Sequence, residues 1–599
     1  MTEDWTYERF VRDALTRVPE VTCDALARMM DAFEPPVTVL DVREPEEWAG
    51  GVLSGAQLVP RGLLESSIGS RIPDRTRPVY VYCASGKRSA LAADVLLRMG
   101  YTKVFSLEGG IQRWRALSLP LRTDGGDRSG AVAQGGGPGQ GQGQQKRTWD
   151  DVRREFPIVG RQVPIYGAGT RNLVYLDHAA STHAPTSVLR AYSHFLSDEY
   201  ANVHRGTHLL SRKATERFDE AYGVVAQFIG ANLDDGCVCF TQNTTQAIDL
   251  AGHVLGDRPG ATITTEMEHH SNELPHRRRG PVLRCRVHDD GQLDLDHLEA
   301  LLASNDVKLV AVTGGSNVTG LMPPIHQIAR MAHAKGALIL VDAAQLLARC
   351  PLDVKATADD AHIDFVAAAG HKAYAPFGVG FLYGPRALMT KAPPYLTGGG
   401  TASQVTPTSA TYLDAPDRHH GGTPNIAGVV GLAESLRFIQ SIGRDAIRAH
   451  EISLTQRTMN AIEAMGGVTT YGHRAPEQRL GVVSFNVDGV EDLLTAAILS
   501  EEGGLAARNG RFCAHIYMGR LLETHHSTEA GGGAARPAGA VRASFGLYSD
   551  DHDVDRFLET LQVVVDRKWA GRYRIAGDEV SAEFAGRCAD RWMEVESAK

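Results

Sequence analysis

The chain has 599 residues, enough for about four structural units at ~150 residues each. Hydrophobic residues make up 43% and charged residues 22%, a globular composition that excludes a disordered or fibrous chain. The net charge of −9, without a dense Lys/Arg run, disfavours nucleic acid and anionic membranes as partners. No apolar run reaches the ~20 residues that cross a bilayer, and the acidic N-terminus, without a basic stretch followed by an apolar core, does not predict a secretory signal. Eight cysteines are too few for a disulfide scaffold, so we expect a reducing, cytoplasmic location.

The first part of the chain presents a cysteine at the end of a predicted strand. An apolar strand over Pro78–Tyr82 runs directly into Cys83, and a helical stretch over Ala90–Arg98 follows a short loop. Backbone N–H groups converge in a loop that opens a helix. The helix dipole, together with Lys87 and Arg88, favours the thiolate of such a cysteine over the thiol. We therefore predict a reactive Cys83.

The region from Val21 to Leu121 resembles the rhodanese (sulfurtransferase) family. The matching segments are Leu40–Trp48, Ser54–Ala56, Cys83–Ser89 and Leu107–Trp114. The resemblance implies that Cys83 carries sulfane sulfur as a persulfide, stabilised by Arg88 and the loop amides. Related phosphatases have a loop one residue longer between cysteine and arginine, so the shorter loop here favours sulfur. Gly51 stands where the family usually has a histidine, and we expect its role to be structural.

A stretch rich in glycine and glutamine divides the chain. Residues 124–147 read DGGDRSGAVAQGGGPGQGQGQQKR and show no apolar periodicity. We predict a flexible linker with a reach of roughly 25–30 Å. A small α/β domain over 1–123 precedes it, a larger domain over 148–570 follows, and a tail over 571–599 is expected to be helical. A second glycine-rich stretch, 528–539, is expected to be an inserted surface loop.

The larger domain alternates apolar strands with helical stretches. A helix is predicted over Lys213–Gly230 from its apolar periodicity. The segments Lys308–Thr313, Ala337–Val341 and Ile363–Ala367 are nearly continuous apolar runs, as expected for strands buried on both faces of a parallel sheet. The pattern predicts an α/β fold whose ligand site lies outside the carboxyl ends of the strands.

Four kinds of functional group follow predicted strands in this domain. They are a lysine (Lys372), an aspartate with a glutamine close behind (Asp342 and Gln345), a histidine (His269) and the start of a helix (Asn243, Thr244 and Thr245). Pyridoxal phosphate (PLP) needs a lysine for a Schiff base, an acid for its pyridinium nitrogen, a flat group over its ring and a phosphate cradle. Each group alone is a weak signal, but the set in this order predicts a PLP site.

The order of these motifs resembles the class V aminotransferase fold (PLP fold type I, with a large and a small domain). It is most similar to the group II cysteine desulfurases together with the selenocysteine lyases, from about Val174 to Leu561. The motifs that carry the resemblance are Tyr175–Ala180, Asn202–Gly206, Glu268–Asn272, Ser316–Asn317, Val341–Gln345, Gly370–Lys372 and Gly422–Asn425.

The resemblance assigns a role to each residue. Lys372 would form the Schiff base and move the α-proton, while Asp342 would pair with the pyridinium nitrogen and Gln345 with the ring hydroxyl. His269 would stack on the ring and act as acid or base. The phosphate would be held by Thr244, Thr245 and His371, joined by Thr423 of the other subunit, which implies a homodimer.

The segment Leu505–His515 contains Arg508, Gly510 and Cys513 in the Arg-x-Gly-x-x-Cys spacing of the desulfurases. The resemblance implies that Cys513 is the nucleophile. Arg542, helped by Asn317 and Arg508, would clamp the substrate carboxylate, for which a planar guanidinium group is suited.

This chain departs from the pattern at three places. Ala369 replaces a serine that usually contacts the phosphate, which predicts a weaker but retained affinity for the cofactor. Arg511 and Phe512 replace a histidine pair that commonly precedes the cysteine in group II relatives. The insertion over 528–539 lengthens the link between Cys513 and Arg542.

The remaining cysteines and histidines predict little chemistry. Cys237, Cys239, Cys285 and Cys350 lie in or beside apolar stretches and are expected in the core. The pairs at 419–420 and 525–526 are expected to be solvated, since no carboxylate or cysteine completes a ligand set at metal spacing with them, and no metal site is predicted.

The sequence as a whole predicts a cytoplasmic PLP-dependent cysteine desulfurase that carries its own sulfur acceptor. L-Cysteine would yield L-alanine and a persulfide on Cys513. The linker would let Cys83 take over that sulfur at a local concentration in the millimolar range and pass it to an unidentified acceptor.

Two alternatives remain open at the level of sequence. A selenocysteine lyase or an amino-acid desulfinase would use the same PLP site on another substrate. A sulfur carrier would load Cys83 from thiosulfate and use the large domain as a dimeric, non-catalytic platform.

Overall fold

The computed structural model describes residues 6–32, 37–43, 47, 51–53, 55–72, 74–117, 119, 121, 148–167, 169–472, 475–525, 539–576 and 579–583. The chain divides into two compact units, Met1–Gln142 and Gly143–Lys599. The predicted linker over 124–147 and nearly all of the insertion predicted over 528–539 lie outside the described residues.

The small unit is built on a parallel sheet of five strands. Its helices and strands in chain order are α1 Tyr7–Leu15, β1 Glu20–Val21, α2 Cys23–Ala32, β2 Thr38–Asp41, β3 Gln57–Leu58, α3 Leu64–Arg71, β4 Val79–Tyr82, α4 Lys87–Arg98, β5 Val104–Leu107 and α5 Gly110–Ala116. The strand order is β1-β5-β4-β2-β3. Strands β2 and β4 are buried at every position; β4 is apolar throughout, whereas β2 starts with Thr38 and ends with Asp41, a buried carboxylate that pairs with Arg43. Two apolar clusters form the core.

Two glycines bring the segment before α5 against the loop that follows β4. Gly109 and Gly110 have φ of 71° and 57°. A Cβ at position 110 would lie 2.4 Å from the Cys83 carbonyl oxygen. The close approach lets Ile111 N donate to that oxygen at 2.9 Å, while Gln112 N donates to the Ala84 carbonyl at 3.0 Å. The two segments therefore hold each other in place.

The large unit begins at α6, and its elements up to the central helices follow in chain order. They are α6 Trp149–Arg154, β6 Gln162–Ile165, β7 Gly169–Asn172, β8 Val174–Tyr175, α7 Thr186–His194, α8 Leu209–Phe228, β9 Gly236–Thr241, α9 Thr244–Val254, β10 Ala261–Thr265, α10 Leu274–Arg277, β11 Val282–Cys285, α11 Leu295–Ser304, β12 Val307–Thr313, α12 Ile325–His333, β13 Leu338–Asp342, β14 Phe365–Ala369, β15 Gly380–Pro385 and α13 Arg386–Lys391.

The rest of the large unit adds two small hairpins and a second sheet. Its elements are β16 Ala402–Val405, β17 Ala410–Tyr412, α14 Ile426–Ile442, α15 Arg444–Met465, β18 Val468–Thr470, β19 Val482–Val487, α16 Asp492–Gly503, β20 Leu505–Ala506, β21 Arg508–Gly510, α17 His515–His525, β22 Ala540–Ser544, α18 Asp551–Val565, β23 Arg572–Ala576 and β24 Glu579–Glu583.

A seven-stranded sheet forms the centre of the large unit, in the order β11-β10-β12-β13-β14-β15-β9. All strands run parallel except β15, which is antiparallel to both neighbours. The three apolar runs predicted as buried strands are confirmed as β12, β13 and β14, with ends shifted by one or two residues. The predicted helix is confirmed as α8. The α/β fold class is therefore correct.

A second layer carries the carboxyl-terminal part of the large unit. Its four-stranded antiparallel sheet has the order β18-β19-β22-β21. Helices α15, α16 and α18 pack on it around a separate apolar core that includes Phe485 and Phe557. This sheet brings β21 and β22 beside the large sheet, so both halves of the unit contribute to the site described below.

The helical tail predicted over 571–599 is wrong over its first part. Strands β23 and β24 pair as an antiparallel hairpin over 572–583. Arginines alternate with Tyr573 and Ile575 along β23, a period of two that suits a strand. The Tyr573 hydroxyl donates to Glu502 Oε1 at 2.9 Å and fixes the hairpin to the end of α16. Residues 584–599 lie outside the described part.

Within the described residues no single helix is long and apolar enough to cross a membrane. Helices α14 and α15 reach that length and hydropathy only as a pair, which is bent by 75°.

We expect Gly110→Ala to destabilise the small unit by about 1–3 kcal/mol, because the new Cβ would meet backbone atoms at a positive φ. The measurement is hydrogen–deuterium exchange of the β4 peptide in the full chain. Gly69→Ala in α3 is the control, since no atom lies within 4 Å of its Cβ position. The control variant should exchange as slowly as the parent chain or more slowly. Equal exchange in both variants would show that the close approach has no energetic role.

Candidate active site

A cavity of about 570 Å³ lies at the carboxyl ends of the parallel strands of the large unit. Among its lining residues are nearly all of the site residues predicted for this unit: Thr244, Thr245, His269, Asn317, Asp342, Gln345, His371, Lys372, Arg508, Cys513 and Arg542. Thr423 is exposed and is not among the residues that line this cavity. The fold thus brings together groups from both sheets.

Lys372 enters the cavity from a single 3₁₀ turn, Gly370–Lys372, directly after β14. Burial lowers the pKa of Lys372 to about 8, against the opposing effect of Asp342, and Arg542 and Arg349 lower it further. A lysine with this pKa is partly neutral near physiological pH. The amine can therefore act as a nucleophile or a base.

Asp342 is the last residue of β13 and is 4% exposed. Its Oδ1 accepts a hydrogen bond from Ala344 N at 3.0 Å. Burial raises the pKa of Asp342, while the Ala344 amide and Lys372 lower it. Gln345 lies close behind, where its Nε2 donates to the Ala179 carbonyl at 2.7 Å and fixes the orientation of the amide.

His269 caps the 3₁₀ turn that follows β10, with Nδ1 accepting from Ser271 N at 3.1 Å. Burial lowers the pKa of His269 to about 4, and the neighbouring cation of Lys372 adds to this effect. The ring is therefore neutral at physiological pH. Because Nδ1 accepts a hydrogen bond, the single ring proton lies on Nε2.

Another part of the cavity has the features of an anion site. Helix α9 begins there, and Thr244 Oγ1 and His371 Nδ1 are buried polar atoms without a hydrogen-bond partner among the described residues. Thr245 Oγ1 lies 2.7 Å from Ser271 Oγ. Buried polar atoms are rarely left unpaired, and the start of a helix attracts negative charge. Ala369 adds no hydroxyl to this end.

The cavity therefore fits pyridoxal phosphate. A buried amine, a buried carboxylate, a neutral imidazole and an anion-attracting helix start with two unpaired polar atoms surround one space. Lys372, Asp342, His269 and the end of the cavity near Thr244 would each meet a different part of the cofactor.

Two arginines share one carboxylate beside this cofactor space. Arg542 Nη2 lies 3.2 Å from Asp177 Oδ1, and Arg508 Nη2 lies 2.8 Å from Asp177 Oδ2. Arg542 is 3% exposed, and its Nε has no partner in the described chain. Burial lowers the pKa of Arg542 to about 10, which leaves it charged at physiological pH. The pair provides a fixed cationic surface for a ligand carboxylate.

Asp177 was not assigned a role from the sequence, although it lies within the motif Tyr175–Ala180. Its function depends on arginines far along the chain, which local spacing does not reveal. Asn317 also has a contact that the sequence did not indicate: its Nδ2 donates to the Phe512 carbonyl at 2.7 Å. It therefore supports the loop that carries Cys513.

Cys513 is the one exposed thiol among the seven described cysteines. Phe512 and Cys513 have φ of 52° and 53°, a left-handed backbone that costs each of these residues about 1–2 kcal/mol. His270 N donates to the Cys513 carbonyl at 2.8 Å and helps to hold this conformation. The guanidinium carbon of Arg542 lies 4.8 Å from the centre of the Phe512 ring. The strained turn is thus fixed on the cavity wall.

The catalytic residues predicted for the small unit lie in a closed arrangement. Cys83 is fully buried; Gly86 N donates to its Sγ at 3.2 Å, and the thiol lies 3.6 Å from Ser89 Oγ. Arg88 makes a two-point ion pair with Glu47 at 2.6 and 2.7 Å. One loop amide therefore faces the sulfur of Cys83, whereas the guanidinium group of Arg88 is engaged by a carboxylate.

Gly51 has a structural role, as expected. Its φ is 105°, a left-handed value that favours glycine, and its carbonyl accepts from Arg43 Nη2 at 2.8 Å. Arg43 is buried and also pairs with Asp41 Oδ2 at 2.7 Å. These charges close the turn after β2.

The four cysteines expected in the core are confirmed as buried: Cys237, Cys239, Cys285 and Cys350. The expectation of a solvated pair at 419–420 is wrong. His419 is 5% exposed and its Nε2 lies 2.8 Å from the Met389 carbonyl, while His420 Nε2 accepts from Phe240 N at 3.0 Å. Both rings satisfy backbone groups of neighbouring elements, which only the tertiary fold provides.

Comparison with known proteins agrees with this geometry. The profile of the aminotransferase class-V family matches residues 174–557, and that of the rhodanese-like domain matches residues 22–117. A probable cysteine desulfurase of Mycobacterium leprae is 36% identical over 421 residues, which cover 68% of this chain and 94% of that protein. A cysteine desulfurase of Dickeya dadantii is 37% identical, and the alignment covers 69% of this chain and 95% of that protein.

The solved structures lead to the same family. The apo structure of a cysteine desulfurase from Thermococcus onnurineus is 33% identical, with a TM-score of 0.62, and the alignment covers 70% of this chain and 98% of that one. Enzymes of this fold depend on PLP, so PLP is the cofactor of the cavity. The chain therefore belongs to the class-V aminotransferase family, within which its relatives are cysteine desulfurases, and it carries a rhodanese-like domain on the amino-terminal side of the aminotransferase-like region.

Proposed function

We propose that the large unit is a cysteine desulfurase that converts L-cysteine into L-alanine and places the sulfur on Cys513. The observation that carries this proposal is that the exposed Cys513 thiol lines the same cavity as Lys372 and Arg542. A nucleophile, a base and a carboxylate-binding group therefore share one space. The relatives named as cysteine desulfurases support the same reaction.

Substrate binding follows from the two arginines that Asp177 holds. Arg542 Nη1 donates to the Asn317 carbonyl at 3.0 Å, and Nη2 faces Asp177, so the guanidinium plane is fixed before a ligand enters. The unpaired Nε of Arg542 and the half-exposed group of Arg508 provide donors for the α-carboxylate. Such preorganisation lowers the entropic cost of orienting the amino acid.

Lys372 is the residue that transfers the proton. Bound PLP supplies an electron sink that makes removal of the α-proton of an amino acid feasible. Lys372, with its pKa lowered to about 8, takes up that proton in its neutral form and can return it later. Neutral His269, with its proton on Nε2, offers a second donor at the same wall.

Cys513 is the nucleophile that takes the sulfur from the substrate. Its thiolate attacks the sulfur of the substrate; an S–S bond forms and the bond between that sulfur and the substrate Cβ breaks. The electron pair of the broken bond stays with the carbon fragment, which takes up a proton and leaves as alanine. Cysteine and the enzyme thiol thus give alanine and a persulfide, with no external oxidant or reductant.

We further propose that the rhodanese-like domain accepts this sulfur. Exchange between the Cys513 persulfide and the Cys83 thiol would restore Cys513 and load Cys83, with the same atoms on both sides. The Gly86 amide that faces Cys83 Sγ suits an anionic sulfur. Because Cys83 is buried, loading requires its loop to open. An unidentified protein or small molecule would receive the sulfur next.

A homodimer completes the proposed site. Thr423 is exposed and does not line the cavity of its own chain, as expected if it serves the cavity of a partner. The two unpaired polar atoms at the phosphate end leave donors for such a shared anion. A reducing cytoplasm would keep both Cys513 and Cys83 available as thiols.

The pKa of Lys372 gives the first test. We expect acetylation of Lys372 in cofactor-free protein to increase with pH and to reach half of its maximal rate near pH 8, because only the neutral amine reacts. A lysine with the ordinary pKa would reach half of its maximal rate near pH ~10.4. Peptide mass spectrometry after brief labelling measures the rate. Exposed Lys335 provides the comparison in the same sample, and coincident profiles for the two lysines would contradict the assignment.

Cys513→Ser tests the nucleophile. We expect alanine release from L-cysteine to fall at least about 10²-fold, while the visible absorbance of bound PLP is retained. Cys350→Ala, which alters a buried cysteine away from the cavity, should keep the parent rate within a small factor. Persistent alanine release in Cys513→Ser would show that Cys513 is not the nucleophile and would favour a desulfinase-like reaction, which tolerates loss of the cysteine.

The sulfur relay has its own test. After brief exposure to L-cysteine and alkylation, we expect peptide mass spectrometry to find extra sulfur on both Cys513 and Cys83. Both signals should disappear in Cys513→Ala and remain in Cys23→Ala, which alters a buried cysteine of the small unit. Sulfur on Cys513 alone would contradict the relay. Loading of Cys83 only by thiosulfate would favour the carrier function.

A further inference from the structure

Three side chains that the proposed function does not use meet at the amino end of β14. His333 is the last residue of α12, His362 lies in the loop before β14, and Asp364 immediately precedes that strand. His333 Nε2 lies 2.9 Å from Asp364 Oδ2, and His362 Nε2 lies 3.3 Å from Asp364 Oδ1. These ligand atoms all lie within 4.8 Å of one another.

The backbone fixes the protonation of each ring. His333 Nδ1 lies 2.7 Å from the Asp360 carbonyl, and His362 Nδ1 lies 2.7 Å from the Asp359 carbonyl. A carbonyl oxygen only accepts hydrogen bonds, so both Nδ1 atoms must carry the proton. In a neutral imidazole this leaves a lone pair on each Nε2, and both lone pairs are directed at the carboxylate of Asp364.

A lone pair beside an ionised carboxylate is unfavourable unless a positive charge lies between them. Protonating both rings would supply that charge, but the rings are stacked with centroids 4.2 Å apart and an interplanar angle of 22°. Two stacked imidazolium groups repel each other, and it is the same carboxylate, Asp364, that both Nε2 atoms approach. A single divalent cation replaces both protons, leaves both rings neutral and uses both lone pairs at once.

We propose that His333, His362 and Asp364 form a binding site for a divalent transition-metal ion such as Zn²⁺. Bonds of about 2.0–2.2 Å to zinc place neighbouring tetrahedral ligands about 3.3 Å apart, close to the 2.9 and 3.3 Å between each Nε2 and its oxygen of Asp364. Each ring already donates its other nitrogen to a carbonyl, the usual support of a metal-binding histidine. Both histidines are partly exposed, at 16% and 17%, so solvent can supply a fourth ligand.

The site is separate from the cavity that holds PLP, because it lies at the amino ends of the strands. Asp364 Oδ2 also accepts from Ile339 N at 2.8 Å, which joins the cluster to β13. Bound metal would therefore connect α12, β13 and the start of β14, the strand that leads to Lys372. We expect it to stabilise the large unit rather than to take part in the chemistry.

The test compares zinc binding by the PLP-loaded full chain and its variants. After removal of metal with a chelator and alkylation of Cys513, we expect Zn²⁺ titration to show one more bound equivalent in the parent chain than in His362→Gln or His333→Gln. His326→Gln is the matched control. This neighbouring half-buried histidine bonds the Ala361 carbonyl through Nδ1 at 2.8 Å and is not part of the cluster. It should bind as the parent does.

Equal zinc binding in the parent chain and His362→Gln would overturn the proposal. A second measurement needs no variant: Zn²⁺ should slow hydrogen–deuterium exchange of the peptide over 355–364 in the parent chain and raise its unfolding temperature by about 2–5 °C. Absence of this protection would overturn the proposal even if the histidine variants failed to fold.

Discussion

The parallel alignment of β12, β13 and β14 is the constraint on which the active site depends. Thr313 pairs with Asp342, and Asp342 pairs with Ala367, so the ends of the three strands reach the same edge of the sheet. The 3₁₀ turn that carries Lys372 starts directly after β14. A shift of one residue in this register would turn Asp342 to the opposite face of the sheet. The positions of the functional groups in the cavity therefore depend on backbone hydrogen bonds between strands, in which no functional side chain takes part.

The cavity at this edge gathers more cationic than anionic side chains. Lys372, Arg508, Arg511 and Arg542 line a cavity whose own carboxylate is Asp342, so positive groups outnumber negative ones there. Asp177 stabilises two of the arginines from behind. Arg542 is buried, and burying a cation is costly without an anion beside it. A phosphate group and a substrate carboxylate would balance these cations, which explains why the cavity suits PLP and an amino acid together.

The position of Cys513 shows how the second sheet completes the site. Strand β21 ends shortly before the cysteine, and two left-handed residues then turn the chain toward the cavity. Asn317 and His270, from the segments that follow β12 and β10 of the large sheet, hold the carbonyls of this turn. The thiol is consequently exposed yet fixed in position, a combination that a nucleophile for a bound substrate requires. The rhodanese-like domain shows the opposite state, with a buried cysteine and an engaged arginine.

The sequence by itself determined the α/β class, the main buried strands and most residues of the cavity. It could do so because apolar runs, helix starts and the short motifs around Lys372, Asp342 and Cys513 are local patterns. The tertiary structure alone decided the contacts between distant segments: Asp177 with its two arginines, the burial of His419, the hairpin after Gly571 and the meeting of His333 with Asp364. These depend on which elements pack against each other. That choice is made by the summed burial and hydrogen bonding of the whole fold, so no short segment of sequence reveals it.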